Sequence, residues 1–173
     1  VVDSGSNDKK YLERIAEKKQ INLFFQENIG FSRANNYGFS QIDDDTEFVL
    51  FMNPDVVMAD DCLKVAIENL ISLPSHCLVG GKQLCYDFEK ERPIELIDSA
   101  GIYRNWFGRW YDRGQGEKDN GQYEIQRAVP AICGAFIFGS AATFRMIGEN
   151  VFDPSFFLYK EDCKLLQISA SVH

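Results

Sequence analysis

Residues 48–52, Phe-Val-Leu-Phe-Met, are apolar at every position, and a proline follows two residues later. A strand with one solvated face alternates apolar and polar residues. An unbroken apolar run is instead typical of a strand buried on both faces, as in a parallel sheet. Pro54 has no N–H for a sheet ladder, so the strand must end at Asn53-Pro54-Asp55. We therefore expect a buried strand that ends at an exposed amide and carboxylate.

Short apolar runs alternate with helical patterns through the first half of the chain. The strand-like runs are residues 1–3, 21–25, 48–52 and 78–81. The helical patterns between them end near residues 19, 42 and 71. Ser32 is expected to cap the second of these helices, and Asp60 or Asp61 the third, because serine and aspartate are common helix caps. The alternation predicts an α/β fold with a mostly parallel sheet and helices on both faces.

The pattern changes between residues 80 and 129, where glycine, arginine and aromatic residues predominate and periodicity is weak. This composition predicts hairpins and loops. Strand character returns at 131–139, after which Ser140 can cap a helix that Gly148 ends. Glu161-Asp162 is expected to open a last helix. No linker or repeat interrupts the chain, so residues 1–173 are interpreted as a single domain.

Composition limits the classes of function. The 173 residues carry a formal net charge of −8, which argues against nucleic acid as a partner, because such binding needs a lysine and arginine patch. A phosphate-bearing small ligand stays open, since a metal ion can hold it against carboxylates. The five cysteines show no CxxC spacing and are interpreted as mostly buried apolar residues in a reducing compartment. We therefore expect a cytoplasmic protein.

Polar residues follow three of the predicted strands, at the edge where an open parallel sheet binds ligands. They are Asp3 with its Ser-Gly turn, Asn53-Pro54-Asp55, and the loop 28–31. A carboxylate at this edge suits Mg²⁺, which takes one or two protein carboxylates together with phosphate oxygens. The alternative is that Asp55 only caps a turn before the next helix, and spacing alone slightly favours this alternative.

Two later segments carry further candidate groups. Glu161 and Asp162 would point in different directions on a helix, so one can act as a general base while the other orients a helix end or a partner. The residue pattern alone favours the alternative, an acidic pair placed by the helix dipole. The arginine- and aromatic-rich segment 104–113 could bind a sugar or a phosphate. It could equally form a surface hairpin whose tryptophans fill a small satellite core.

Seven short segments stand in order along almost the whole chain. They are Val-Val-Asp-Ser-Gly-Ser-Asn-Asp at 1–8, Glu-Asn-Ile-Gly-Phe-Ser-Arg-Ala-Asn-Asn-Tyr-Gly at 27–38, Phe-Met-Asn-Pro-Asp at 51–55, Asp-Ser-Ala-Gly at 98–101, Asp-Arg-Gly-Gln-Gly-Glu-Lys-Asp-Asn-Gly-Gln-Tyr at 112–123, Cys-Gly-Ala at 133–135 and Phe-Asp-Pro-Ser-Phe-Phe-Leu-Tyr-Lys-Glu-Asp at 152–162. Together they resemble the family 2 glycosyltransferases, in particular the rhamnosyltransferase-like enzymes of bacterial polysaccharide synthesis. The resemblance implies an inverting sugar transfer on a Rossmann-like glycosyltransferase A (GT-A) fold.

The same resemblance implies roles for individual residues. The nucleotide side would be lined by Asp3, which would contact the base, and by Asn28, Gly30, Ala34 and Asn35. Asn53 and Asp55 would stand for the metal-binding acidic motif, with Asp55 as the carboxylate that holds Mg²⁺ or Mn²⁺. Asp162 would match the catalytic base, with Glu161 beside it. A positioned carboxylate suits deprotonation of an acceptor hydroxyl, and a divalent ion suits the charge of a leaving diphosphate.

The implied donor is a nucleotide-diphosphate sugar, with rhamnose as a candidate, and the implied acceptor is a glycan or a lipid-linked sugar of the cell envelope. The family begins with an earlier strand and continues beyond residue 173, so we expect a domain truncated at both ends. The chain alone could then be inactive. A missing C-terminal part would provide peripheral contact with the cytoplasmic face of a membrane.

Two other functions stay open. Lys164 stands where the family has an aspartate, which favours a catalytically inactive glycosyltransferase-like binding module. A sugar-phosphate nucleotidyltransferase would also use strand-end carboxylates and a metal, although its glycine-rich phosphate loop is not visible in the sequence.

Overall fold

The computed structural model describes residues 1–7, 10–17, 20–155 and 169–172. The helices are α1 (Lys10–Ala16), α2 (Phe31–Ser40), α3 (Cys62–Ser72) and α4 (Ala141–Ile147). The strands are β1 (Val2–Ser4), β2 (Phe24–Gln26), β3 (Phe48–Met52), β4 (Cys77–Gly80), β5 (Gln83–Asp87), β6 (Arg92–Ser99), β7 (Ile102–Arg104), β8 (Trp110–Asp112), β9 (Arg127–Val129), β10 (Phe136–Ser140) and β11 (Ser169–Val172). The helix predicted at Glu161-Asp162 lies outside the described residues.

The main sheet has five strands in the order β3-β10-β4-β11-β9. β10 runs antiparallel to both of its neighbours, with Phe136 opposite Met52 and Phe138 opposite Val79. β11 is parallel to β4 and antiparallel to β9. The prediction of one mostly parallel sheet is therefore wrong, because the sheets are small and mostly antiparallel.

The difference comes from β10, a strand of the second half of the chain. Phe136, Ile137, Phe138 and Gly139 are all buried, so this strand occupies the interior of the sheet and separates β3 from β4. β3 consequently lies at one edge of the sheet, and only Phe51 of its residues is buried. The apolar run at 48–52 therefore predicted the strand correctly but overestimated its burial.

Helix α2 connects the five-stranded sheet to a separate parallel pair formed by β1 and β2. Gly38 allows a close approach to β1, because a Cβ on this residue would lie 3.1 Å from Val2 Cγ2. Phe39 packs against Phe51 of β3, with ring centroids 6.1 Å apart. The two phenylalanines share one hydrophobic core with Ile137 of β10. Packing on α2 thus fixes the position of β1 relative to the end of β3.

The ends of two helices test the capping residues predicted from the sequence. Ser140 Oγ accepts a hydrogen bond from Thr143 N at 3.1 Å, and Gly148 ends α4 with a φ of 110°, which confirms both predictions. The predicted cap of α2 is wrong. This helix begins after Gly30, and Ser32 is completely buried within its first turn.

Residues 83–112 form two antiparallel hairpins, β5–β6 and β7–β8, as the weak periodicity predicted. The satellite core of tryptophans is not formed, because Trp106 at the tip of the second hairpin is 97% exposed.

Among the described cysteines, Cys77 is buried, while Cys62, Cys85 and Cys133 are partly exposed. They are therefore less buried than the sequence suggested, and Cys163 lies outside the described residues. Within the described part of the chain, no helix has the length and hydropathy needed to cross a membrane.

Candidate active site

The loops that follow β1 and β2 meet at the start of helix α2. Ser4 Oγ donates a hydrogen bond to Glu27 O at 3.3 Å and accepts one from Ile29 N at 3.2 Å. Gly5 has a φ of 81° and lies so close to the second loop that a Cβ would be 2.8 Å from Asn28 N. Two segments predicted to bind a nucleotide, 25 residues apart in sequence, are therefore held together.

The predicted residues of this first group differ in accessibility. Asp3 is 4% exposed in the middle of β1. Asn28 is exposed, and its Oδ1 accepts a hydrogen bond from Gly30 N at 3.4 Å. Ala34 and Asn35 are half-buried on α2, where the Asn35 side chain donates to the backbone of the first turn at 3.0 Å. Asn28 is thus directly available to a ligand, whereas Asp3 is held inside the fold.

A second group of predicted residues lies where β3 ends. Asn53 N donates a hydrogen bond to Ala135 O at 3.1 Å, which joins this strand end to the Cys-Gly-Ala segment. Val56 N donates to Asn53 O at 3.2 Å and closes a turn around Pro54. The turn leaves Asp55 exposed to solvent.

The two groups belong to different sheets and are linked by helix α2. Asp3 lies on β1 of the two-stranded sheet, whereas Asp55 follows β3 of the five-stranded sheet. The start of α2 contacts the first group, and Phe39 near its end packs on Phe51 beside the second. A ligand bound by both groups must bridge the two sheets.

A known family model covers the region that contains both groups. The model for glycosyl transferase family 2 matches residues 1–146. The chain belongs to glycosyl transferase family 2. The match includes every predicted nucleotide-side residue and the predicted metal ligand, and it ends before Glu161 and Asp162.

A solved structure shares the fold of this family 2 chain. The crystal structure of GalNAc-T7 with UDP, GalNAc and Mn²⁺ aligns with a TM-score of 0.67 over 99% of the present chain, at 13% sequence identity. The alignment shows a fold of the GT-A type. The present chain spans 36% of the length of that chain. The comparison with curated proteins finds no match.

The oxygen atoms at the end of β3 fit a hard divalent cation of the kind that the resemblance to family 2 implies. Asn53 Oδ1 is buried, and none of the described residues donates a hydrogen bond to it, although a buried amide oxygen normally has a partner. Asp55 offers an exposed carboxylate two residues later. Mg²⁺ commonly combines one or two protein ligands with waters and phosphate oxygens.

The same region does not form a complete metal site made of protein alone. In the described ranges there is no cluster of three or more His, Cys, Asp or Glu side chains that could hold a metal ion. A cation at Asp55 would therefore take most of its ligands from the bound phosphates and from water.

Sequence reasoning placed Asn36 at the end of the segment that lines the nucleotide side and missed its structural role as a buried residue of α2. Its Nδ2 donates hydrogen bonds to Phe152 O at 2.8 Å and to Asn150 Oδ1 at 3.2 Å. Its Oδ1 accepts a hydrogen bond from Phe152 N at 2.9 Å. The available signal was the spacing of Ser32, Asn36 and Phe39, which places a polar residue on the buried face of the helix.

Helix α2 therefore holds the segment 150–154 in place. Besides the bonds of Asn36, Arg33 Nε donates a hydrogen bond to Pro154 O at 3.3 Å. The predicted catalytic residues Glu161 and Asp162 follow shortly afterwards in sequence, outside the described residues.

Proposed function

We propose that this chain is the donor-binding part of an inverting glycosyltransferase that takes a sugar from a nucleotide-diphosphate sugar. The observation that carries the proposal is the junction of the two loops at Ser4 and Ile29, next to Gly5 and Asn28. It creates a surface between β1, β2 and the start of α2 within the region that matches family 2. We propose that residues 1–173 belong to one domain.

The nucleotide would bind against this junction. The proposed contacts are Asp3, Asn28, Gly30, Ala34 and Asn35. Exposed Asn28 carries both a donor and an acceptor for a base or a ribose hydroxyl. The start of α2 has no side-chain cap and no acidic residue in its first turn, so its N–H groups can face an anion.

The diphosphate would lie towards the end of β3. Asn53 and Asp55 are the residues that would hold Mg²⁺ or Mn²⁺, through an amide oxygen and a carboxylate. Such a cation, when bound, supplies positive charge that stabilises the leaving diphosphate. The GalNAc-T7 crystal structure was determined with UDP and Mn²⁺ together, which supports the proposal that this chain binds a nucleotide together with a divalent cation.

Asp162 is proposed as the general base, with Glu161 beside it. The acceptor oxygen forms a bond to the anomeric carbon, the bond from that carbon to the phosphate oxygen breaks, and the acceptor proton passes to the Asp162 carboxylate. A single displacement of this kind inverts the anomeric configuration. Rhamnose is the proposed sugar, and a glycan or a lipid-linked saccharide of a cell-envelope polysaccharide is the proposed acceptor.

Binding and product analysis test this function. The chain is titrated with UDP, GDP and dTDP and with their sugar conjugates in the presence of Mn²⁺, and products are then identified by NMR with saccharide acceptors. We expect one nucleoside diphosphate to bind, and that diphosphate to appear together with an inverted glycoside. In a parallel assay with a nucleoside triphosphate and a sugar phosphate, release of pyrophosphate together with a nucleotide-diphosphate sugar would instead assign the chain to the nucleotidyltransferases. Donor binding without transfer or hydrolysis in the full-length protein would favour the inactive binding module.

A further inference from the structure

The tip of the β7–β8 hairpin exposes two large aromatic side chains. Trp106 is 97% exposed and Phe107 is 93% exposed, more than any other aromatic residue among those described. Water is a poor solvent for such rings, and folding normally buries them. Two adjacent rings that contact almost nothing of the described chain therefore point to an external partner.

The tip holds one defined shape despite this exposure. Asn105 N donates a hydrogen bond to Arg109 O, and Gly108 N donates to Asn105 O, both at 2.9 Å. Asn105 Oδ1 accepts from Arg109 N at 2.9 Å, and Arg104 Nε donates to Gly108 O at 3.0 Å. Gly108 adopts a φ of 81°, which suits a glycine in a tight hairpin. The rings are thus presented outward by a closed network of bonds.

Two arginines stand on either side of the aromatic pair. Arg104 and Arg109 are exposed, and neither forms an ion pair with a carboxylate in the described part of the chain. The chain as a whole carries a net charge of −8, so this basic tip is a local exception. Screening at 0.1 M salt limits electrostatic attraction to about 10 Å, so a surface at the tip interacts with these two arginines more strongly than with distant acidic residues.

We propose that residues 105–109 insert Trp106 and Phe107 into the interface of a bilayer that contains anionic lipids, with Arg104 and Arg109 beside the headgroup phosphates. Aromatic side chains next to basic ones are the combination that binds such interfaces. The tip is convex, whereas a sugar or nucleotide site needs polar groups that converge on a cleft. This proposal is independent of the proposed transfer reaction.

The chain offers its own reporter for this test, because Trp106 and Trp110 are the only tryptophans. The Trp110→Phe variant leaves Trp106 alone at the tip. On titration with vesicles of phosphatidylcholine and phosphatidylglycerol, its emission should shift to shorter wavelength and be quenched by brominated acyl chains. The shift should be much smaller with phosphatidylcholine alone and should weaken with added salt.

Substitutions distinguish the tip from the rest of the surface. Co-sedimentation with the anionic vesicles should fall at least about tenfold in Trp106→Ala with Phe107→Ala, given the apolar area removed. Co-sedimentation should also fall in Arg109→Glu. This substitution should leave the tip intact, because Arg109 forms the hydrogen bonds given above through its backbone N and O. Ile125→Ala removes an 87% exposed apolar residue elsewhere and should bind like the parent chain.

Three results would overturn the proposal. One is the absence of binding to anionic vesicles, and another is binding that the double substitution leaves unchanged. The third is an emission shift with soluble saccharides, or on self-association of the chain, without a shift on vesicles, which would assign the tip to a sugar or to a protein partner.

Discussion

Asn36 and Phe152 exchange two hydrogen bonds, Nδ2 to O at 2.8 Å and N to Oδ1 at 2.9 Å, across 116 residues of sequence. The side-chain amide therefore satisfies a buried N–H and a buried C=O in a segment that belongs to none of the described strands. The ring of Phe152 packs at the same time on Phe31 and Phe51, with centroids 5.6 and 4.9 Å away. One residue pair thus joins α2, the end of β3 and the segment that contains Phe152.

Replacing Asn36 by Ala should lower the free energy of unfolding by about 2–3 kcal/mol, because the Phe152 N–H and C=O lose their partner while staying buried. Urea denaturation measures the difference. Ser40→Ala is the matched control, since it removes an exposed hydroxyl from the same helix and should change stability by less than about 0.5 kcal/mol. Equal effects of the two substitutions would show that the pair with Phe152 is unimportant.

Gly5→Ala should destabilise the fold more than Gly116→Ala. Both glycines have a φ near 80°, so each alanine carries a similar backbone strain of about 1–2 kcal/mol. Only at Gly5 would the added Cβ also meet a backbone atom, Asn28 N at 2.8 Å, whereas nothing lies within 4 Å at Gly116. Gly5→Ala should therefore also weaken nucleotide binding, and Gly116→Ala should not. Thermal unfolding and nucleotide titration give the two readouts, and a similar loss of affinity in both variants would contradict the proposed site.

The ion pair between Lys82 and Asp119, 2.8 Å long and largely buried, should make stability depend on acid pH. The hydrogen bond from Lys82, helped by one from Gly121 N, lowers the pKa of Asp119 below its ordinary value of 3.8. A lowered pKa contributes stability above pH 4, and this contribution is lost as the pH falls through the folded-state pKa. Lys82→Met should therefore lower Tm at pH 7, and the difference from the parent chain should shrink in acid.

The exposed pair Lys64–Glu68, 3.9 Å long, provides the control for this measurement. Lys64→Met should leave Tm nearly unchanged at both pH values, because solvent-exposed pairs contribute little. A Tm difference for Lys82→Met that stays constant between pH 7 and strong acid would rule out the titration of Asp119 as its cause.

Local chemistry made several elements readable from the sequence. The bounds of β3 follow from the apolar run and Pro54, and α4 follows from Ser140 and Gly148, because each signal acts through adjacent backbone. The order of the strands could not be read in this way. Nothing within residues 1–80 reveals that β10 inserts between β3 and β4, since that arrangement depends on burial of a distant segment.

In the candidate site, too, the sequence predicted what depends on adjacent residues and missed what depends on distant ones. Motifs predicted Asn28, Asn53 and Asp55 as neighbours of strand ends, and these positions do lie at strand ends. The role of Asn36 was hidden because its partner Phe152 is remote in sequence. The cap expected at Ser32 failed for a related reason, since packing of the whole helix decided which residue begins it.

The function proposed for Asp55 can be measured directly as the dependence of nucleotide binding on a divalent cation. The nucleoside diphosphate that binds the parent chain is titrated by calorimetry with Mn²⁺ and with EDTA, and in Asp55→Ala and Asp45→Ala. Asp45 is an exposed acid in the loop before β3 and serves as the matched control. We predict that affinity falls at least about tenfold, or about 1.4 kcal/mol, in EDTA and in Asp55→Ala, but not in Asp45→Ala. Binding that is equally strong with and without Mn²⁺, and unchanged in Asp55→Ala, would contradict the proposed donor site.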